Sequence, residues 1–208
     1  MSLLNVNAVE PSTGTDITLG ASGDTITVPS GATFTQSGTM NASAITAGTV
    51  ATARLPALGK VLQVVNTETG AVATGTTLIP YDDTIPQITE GFEVMTLAVT
   101  PASATNKLLI SVVTCLSSDV NSLPVTALFE GTTANALACV FTHAYGTADN
   151  PLLHNFNHYM TSGSTSELTF RVRIGTNNAG TMTFNGRLEA RKYGGALASS
   201  ITIMEIGV

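Results

Sequence analysis

From Gly59 onward, apolar and polar positions alternate with a period of two in runs separated by turn residues. In an extended chain such alternation puts every second side chain on one face, as in a strand buried on one side. The pattern predicts strands at Gly59–Asn66, Phe92–Val99, Lys107–Ser117, Pro124–Glu130, Ala136–His143, Leu152–Met160, Glu167–Gly175, Thr181–Asn185 and Ser200–Ile206. Turn signals lie between them at Gly91, Pro101–Asn106, Gly131, Asp149-Asn150-Pro151, Ser162-Gly163, Asn177–Gly180 and Gly194-Gly195. With about eight to ten strands and no sustained helical period, the expected class is all-β, and a jelly-roll-like β-sandwich is the first choice.

Residues 1–59 differ. They hold four charged residues (Glu10, Asp16, Asp24, Arg54) and one aromatic, Phe34, too little bulk for a globular core. Ser-Gly recurs at Ser22-Gly23, Ser30-Gly31 and Ser37-Gly38, with short Thr/aliphatic runs such as Thr25-Ile26-Thr27-Val28 between. Rungs of about four residues are too short to be stable alone, but several chains wound together would bury their narrow apolar stripes. The reading is an extended stem of short β-rungs (1–59) followed by a sandwich head (60–208); a flexible Ser/Thr/Gly linker is the alternative for the first part.

Charge sharpens this picture. Charged residues make up 11% of the chain and the net charge is -6, with eight Lys plus Arg. So few basic groups argue against nucleic-acid binding, which depends on displacing counterions from phosphates. A subunit that buries much of its surface in an assembly needs less surface charge than a monomer, so self-association is expected. Mean hydropathy is +0.29, yet the longest apolar stretch, Leu108–Leu116, is far shorter than the ~20 residues of a membrane-spanning helix. The amino terminus lacks the basic and apolar regions of a secretory signal, so neither secretion nor membrane insertion is expected. Cys115 and Cys139 stand in apolar runs and are expected to be buried free thiols rather than a disulfide.

Two phrases in the first part, LGASGDTITVPSGAT and ITAGTVATARLP, resemble segments of bacteriophage tail-fibre stems. In the second part, GKVLQVV, PASATNKLLISV and SSITIMEIGV look like the opening, first hairpin and last strand of a carboxy-terminal domain shared by phage tail-fibre-like proteins. The last strand, with Ile201, Ile203, Met204, Glu205 and Ile206, carries the likeness most specifically. The resemblance implies a homotrimer with a β-sandwich head, located on the virion after assembly in the host cytoplasm. Its implied partners are further copies of itself and other phage structural proteins of the tail or the major capsid shell, with a host-surface glycan as a candidate.

No catalytic constellation emerges. The chain lacks GxSxG, P-loop, HExxH and GxGxxG signatures. Asp82-Asp83 falls in a loop beside Tyr81, and adjacent residues of an extended chain point apart, which disfavours a catalytic pair. His154 and His158 alternate with Phe156 on one face of a strand, about 13 Å apart and too far to share an ion within one chain. Two half-exposed strand histidines are expected, and no enzyme activity, cofactor or metal. Two functions compete: a fibre or spike that displays its head to the host, and a capsid-decorating (cement) protein. For receptor binding the candidates are Tyr145, Asp149, Asn150, His154 and His158, since sugar sites combine an aromatic face with fixed polar groups. For virion attachment they are Leu3, Leu4, Val6 and Val9.

Residues 60–208 are expected to fold alone as a β-rich domain, and residues 1–59 alone to be disordered, because short rungs need chain-to-chain pairing. Circular dichroism of the two fragments checks this; a well-folded 1–59 monomer would contradict it.

Overall fold

The computed structural model describes residues 59–143 and 149–208 together with Thr27 and Ser30, and in them two antiparallel sheets pack face to face, with a separate two-stranded ribbon. Apart from Thr27, Ser30 and Gly59, the expected stem lies outside the described residues, including Leu3, Leu4, Val6 and Val9, as does Tyr145. In chain order the strands are β1 (Val61–Thr69), β2 (Ala73–Gly75), β3 (Phe92–Val99), β4 (Lys107–Ser118), β5 (Val125–Glu130) and β6 (Ala138–Phe141). They continue with β7 (Leu152–Thr161), β8 (Leu168–Gly175), β9 (Met182–Phe184), β10 (Gly186–Arg187), β11 (Ala190–Arg191) and β12 (Ser199–Ile206). The larger sheet runs β1-β12-β4-β9-β2, with β7 on the other edge of β4; the smaller runs β3-β8-β5-β6. The protein is an all-β sandwich of jelly-roll type, as the alternation predicts.

Alternation also explains the core. On β4, Leu108, Ile110 and Val112 point inward and are fully buried. They meet Ile201 and Ile203 of β12, and Met95, Leu97, Phe170, Val172 and Ile174 from the smaller sheet. Each such side chain contributes about 1.5–3 kcal/mol by leaving water. Strand β5 is buried on both faces. Leu128 enters the main core, while Val125, Ala127 and Phe129 pack with Ile79 and Ile88 of the long β2–β3 connection. That connection is fastened by Arg173, which donates to the carbonyls of Glu90 and Gly91, both at 2.8 Å. Gly91 has φ +60 and lies so close to the Ile174 carbonyl that a side chain would collide with it.

The opposite face of the larger sheet is different in character. Its register places Val64 beside Met204, Met204 beside Leu109 and Leu109 beside Tyr159, an apolar row across β1, β12, β4 and β7. Val64 is 55% exposed and Tyr159 58%. The neighbouring row is Asn66, Thr202, Ser111 and Asn157. Glu68 and Lys107 are the charged residues on this face of the four strands.

Three expectations change. The PASATN segment is not a hairpin turn, because β3 and β4 lie in different sheets and it crosses between them. Cys115 is buried, but Cys139 is exposed, on the free edge strand β6; both thiols are free. Strands β2, β10 and β11 carry no readable alternation and were not expected.

A buried carboxylate holds the crossing segment. Glu205, on β12, is fully buried. It accepts hydrogen bonds from the Ala102 N–H (2.8 Å), Asn106 Nδ2 (2.5 Å) and Gln63 Nε2 (2.5 Å). Burial pushes its pKa up, but the bonds from Asn106, Gln63 and the backbone of Ala102 and Ser103 outweigh this and hold it below the ordinary value of 4.5. Glu205→Ala leaves the buried Asn106 amide without this acceptor and frees Gln63 and the Ala102 N–H from the strand, and should lower stability by about 3 kcal/mol in urea unfolding, with Glu205→Gln losing less. The stability from Glu205 is present above pH 4.5 and is lost as the pH falls through its lower folded pKa. A Glu205→Ala variant as stable as the parent would refute the role given to this carboxylate.

Candidate functional site

The structure divides the expected receptor-binding set. Asn150 is exposed. Asp149 is half-buried with φ +70; its N–H donates to the Ser118 carbonyl (2.6 Å), and its buried Oδ1 has no partner among the described residues. His154 and His158 do share a face of β7 with Phe156, but that face is the inner one, where Phe156 packs on the core. His158 is half-buried, whereas His154 is 1% exposed, a correction to the expected half-exposed pair. Among the four described residues, Asn150 is exposed while His154 is turned into the interior, so these two do not share one surface.

His154 belongs to a buried polar bridge between the sheets. Its Nδ1 is hydrogen-bonded to the Thr126 hydroxyl (2.8 Å), which in turn shares a hydrogen bond with the Thr114 hydroxyl (2.8 Å). Thr114 and His154 face each other across β4 and β7, while Thr126 comes from β5. Nε2 is buried without a partner among the described residues. A charged ring there would have no solvent, so burial lowers its pKa to about 4 from an ordinary 6.5.

A different place on the surface has the geometry of a binding site. The β2–β3 connection runs past the free edge of β6, and the two enclose a cleft of about 390 Å³ lined by Asp82, Asp83, Thr84, Ile85, Pro86 and residues 136–139. An adjoining hollow of about 200 Å³ adds Tyr81, Val125 and Phe141. Backbone bonds from Ile88 N–H to the Ala134 carbonyl (2.8 Å) and from Ala136 N–H to the Pro86 carbonyl (2.9 Å) tie the connection to the strand edge and close one end. At the mouth, Tyr81 and Phe141 meet edge to face, ring centres 5.5 Å apart, and are 63% and 50% exposed. Asp82 Oδ1 accepts from the Thr84 N–H (2.8 Å) and hydroxyl (2.5 Å). The side-chain bond and then the backbone bond from Thr84 lower its pKa, so the carboxylate is ionised and held in place, and among the described residues no hydrogen bond engages Oδ2.

In the sequence Tyr81 stands beside Asp82-Asp83 in a loop between Pro80 and Pro86. Phe141 is remote in sequence, and only the fold brings it to Tyr81. An aromatic beside two carboxylates in a loop was the available signal. No group of three or more His, Cys, Asp or Glu among the described residues is arranged to hold a metal ion.

No family model matches the chain, and no curated protein does. Solved structures that align with it include Eiger TNF from S. frugiperda, 9% identical, covering 69% of this chain and 93% of that one at a TM-score of 0.38. Another is the VP2 subviral particle of infectious bursal disease virus, 14% identical, covering 71% of this chain and 38% of that one at 0.33. A third is the T13 particle of the same virus, 12% identical, covering 71% and 36% at 0.32. Likenesses of this degree carry no functional argument.

The buried histidine gives a testable pH dependence. Its folded pKa is depressed, so its neutral form contributes stability that is complete above about pH 6.5 and is lost as the pH falls toward 4. At about 1.4 kcal/mol per pH unit, the loss should approach 3 kcal/mol. Thermal melts from pH 7.5 to 4 should show it, and His154→Gln should flatten most of the fall. His158, also lowered by burial, supplies a smaller part of the same sign. Parallel loss in parent and His154→Gln would exclude His154 as its source.

Proposed function

We propose that this chain is a non-enzymatic structural protein of a bacteriophage particle, a homotrimeric fibre or spike whose segment 1–59 attaches to the virion and whose head 60–208 is displayed. The outer face of β1-β12-β4-β7 carries the proposal. It combines the outward apolar row Val64–Met204–Leu109–Tyr159 with Asn, Ser and Thr and only two charged residues, Glu68 and Lys107, and a matching copy would take that row out of water. Four strands about 4.8 Å apart and about 30 Å long present an area on the order of 600 Å², close to the ~800 Å² per partner of a stable interface. The low overall charge and the stem and head phrases of the sequence support the same reading, and the likeness to phage fibres favours three copies over two. Asp82 and Asp83 serve no catalytic pairing in this account.

A capsid-decorating role is the alternative, favoured by the short stem: about 55 residues reach at most ~180 Å fully extended. Particles lacking the protein distinguish the two, since a fibre's loss abolishes adsorption while a cement protein's loss makes shells burst more readily.

Light scattering should give three times the 21.3 kDa subunit mass. The double variant Val64→Asp/Tyr159→Asp should run as a folded monomer with an unchanged circular dichroism spectrum, because paired carboxylates in a dry interface oppose association. A monomeric parent at micromolar concentration would overturn the assembly.

A further inference from the structure

From the cleft between residues 81–86 and β6 we infer a binding site for a neutral hexopyranose, one sugar unit of an extracellular glycan. The inference deepens the display function proposed above and rests on it only for the source of the ligand, not for binding itself.

The walls match the chemistry of a pyranose. A sugar ring has an apolar face of C–H groups that packs on an aromatic ring, and a rim of hydroxyls that needs fixed acceptors and donors. Tyr81, braced edge-on by Phe141 and 63% exposed, has a ring surface open to such a face. Asp82 is pre-oriented by Thr84 through Oδ1, which leaves Oδ2 to accept a sugar hydroxyl without an entropic cost of ordering the side chain. Asp83 adds a second carboxylate to the same wall.

The strand edge supplies the remaining groups. Phe141 pairs with Val125 across β5 and β6, and the Thr142 N–H donates to the Pro124 carbonyl at 3.1 Å. Antiparallel strands alternate between hydrogen-bonded and non-hydrogen-bonded pairs, so the N–H and C=O of Cys139 and Phe141 point away from β5 to the free edge. Donors and acceptors therefore alternate along the floor of the cleft.

The same geometry disfavours other occupants. An added peptide strand would need a longer open edge, but Pro86 and Ile88 already bond to Ala136 and Ala134 and close it after a few residues. An anionic sugar would face Asp82 and Asp83 with no basic residue among the described residues of the lining. A volume of about 390 Å³ falls at the small end of ligand pockets, suited to a single ring.

Saturation-transfer NMR on the full chain, with methyl glucoside, methyl galactoside, methyl N-acetylglucosaminide and methyl glucuronide as probes, tests the site. At least one neutral glycoside should bind in the millimolar range, and the glucuronide should not. Tyr81→Ala and Asp82→Asn should each weaken binding about tenfold, the loss of one ring contact or one charge-assisted hydrogen bond. Asn150→Ala, at the other candidate loop, should leave it unchanged. Thermal melts confirm that the variants are folded, and Asp83→Asn serves if Asp82→Asn is not. No transfer from any neutral glycoside at tens of millimolar would overturn the inference, as would binding that survives both cleft substitutions. Loss on Asn150→Ala with Tyr81→Ala unaffected would also overturn it and place recognition at the 145–150 loop. Light scattering of the same samples reports the trimer separately, so failure of the assembly and failure of the site are distinguishable.

Discussion

A single buried carboxylate near the end of the chain ties the sandwich together. Glu205 sits on β12, between β1 and β4, and is bonded to Gln63 of β1 and to Ala102 and Asn106 of the segment that crosses between the sheets. Gln63 and Glu205 are 142 residues apart. An ionised group out of contact with water is tolerated only when its oxygens are satisfied by well-placed donors. Glu205 has them from three directions, which makes it a lock on geometry. The crossing segment is fastened further through Asn106, whose carbonyl accepts from the Ser162 N–H at 2.9 Å, and through the Ser103 carbonyl, which accepts from the Ser162 hydroxyl at 2.7 Å. Strand β12 is thus a central strand of the larger sheet, and β1 and β4 meet through it. Such non-local pairing makes the head a cooperative unit and is expected to slow its folding.

The two faces of the larger sheet follow from the same alternation but serve different ends. Inward positions are mostly large and apolar, with Thr114, His154 and Glu205 as buried polar exceptions; outward positions mix an apolar row with hydroxyls, amides and the charges of Glu68 and Lys107. In the smaller sheet the outward face of β5 is covered by the protein's own chain, since Ile79 and Ile88 fold over it. A face that the chain covers for itself needs no partner; the face that it leaves open and charge-poor is the one that gains from a second copy.

This arrangement keeps assembly and recognition apart. The face proposed for assembly belongs to the larger sheet, whereas the cleft lies at the β6 edge of the smaller sheet. The cleft exists because the β2–β3 connection is long: it pays out enough chain to pack Ile79, run past β6 and return through Gly91. Long connections with no strand of their own often carry function, since a rigid sandwich fixes their ends while their middle is free to vary. Arg173, bonded to the Glu90 and Gly91 carbonyls, does that fixing here.

Strand positions were legible because a half-buried strand must alternate, and Phe92–Val99 and Ser199–Ile206 stand in the sequence almost as they stand in the fold. Shorter strands were not. The β10–β11 ribbon turns through Leu188 and Glu189, both with positive φ, where a reader looks for Asn or Gly. Alternation also put His154, Phe156 and His158 on one face correctly but could not say that the face was the inner one, because period two is identical for both choices. Glu205 stood in the most recognisable strand, yet its partners come from residues 63, 102 and 106, and no local pattern announces them. The amino-acid order by itself determined the all-β class, most strand positions and the poverty of charge, all consequences of neighbours along the chain. Only the tertiary structure decided which face is buried, where Cys139 and His154 lie and that Tyr81 meets Phe141, because each depends on pairing between strands far apart in sequence.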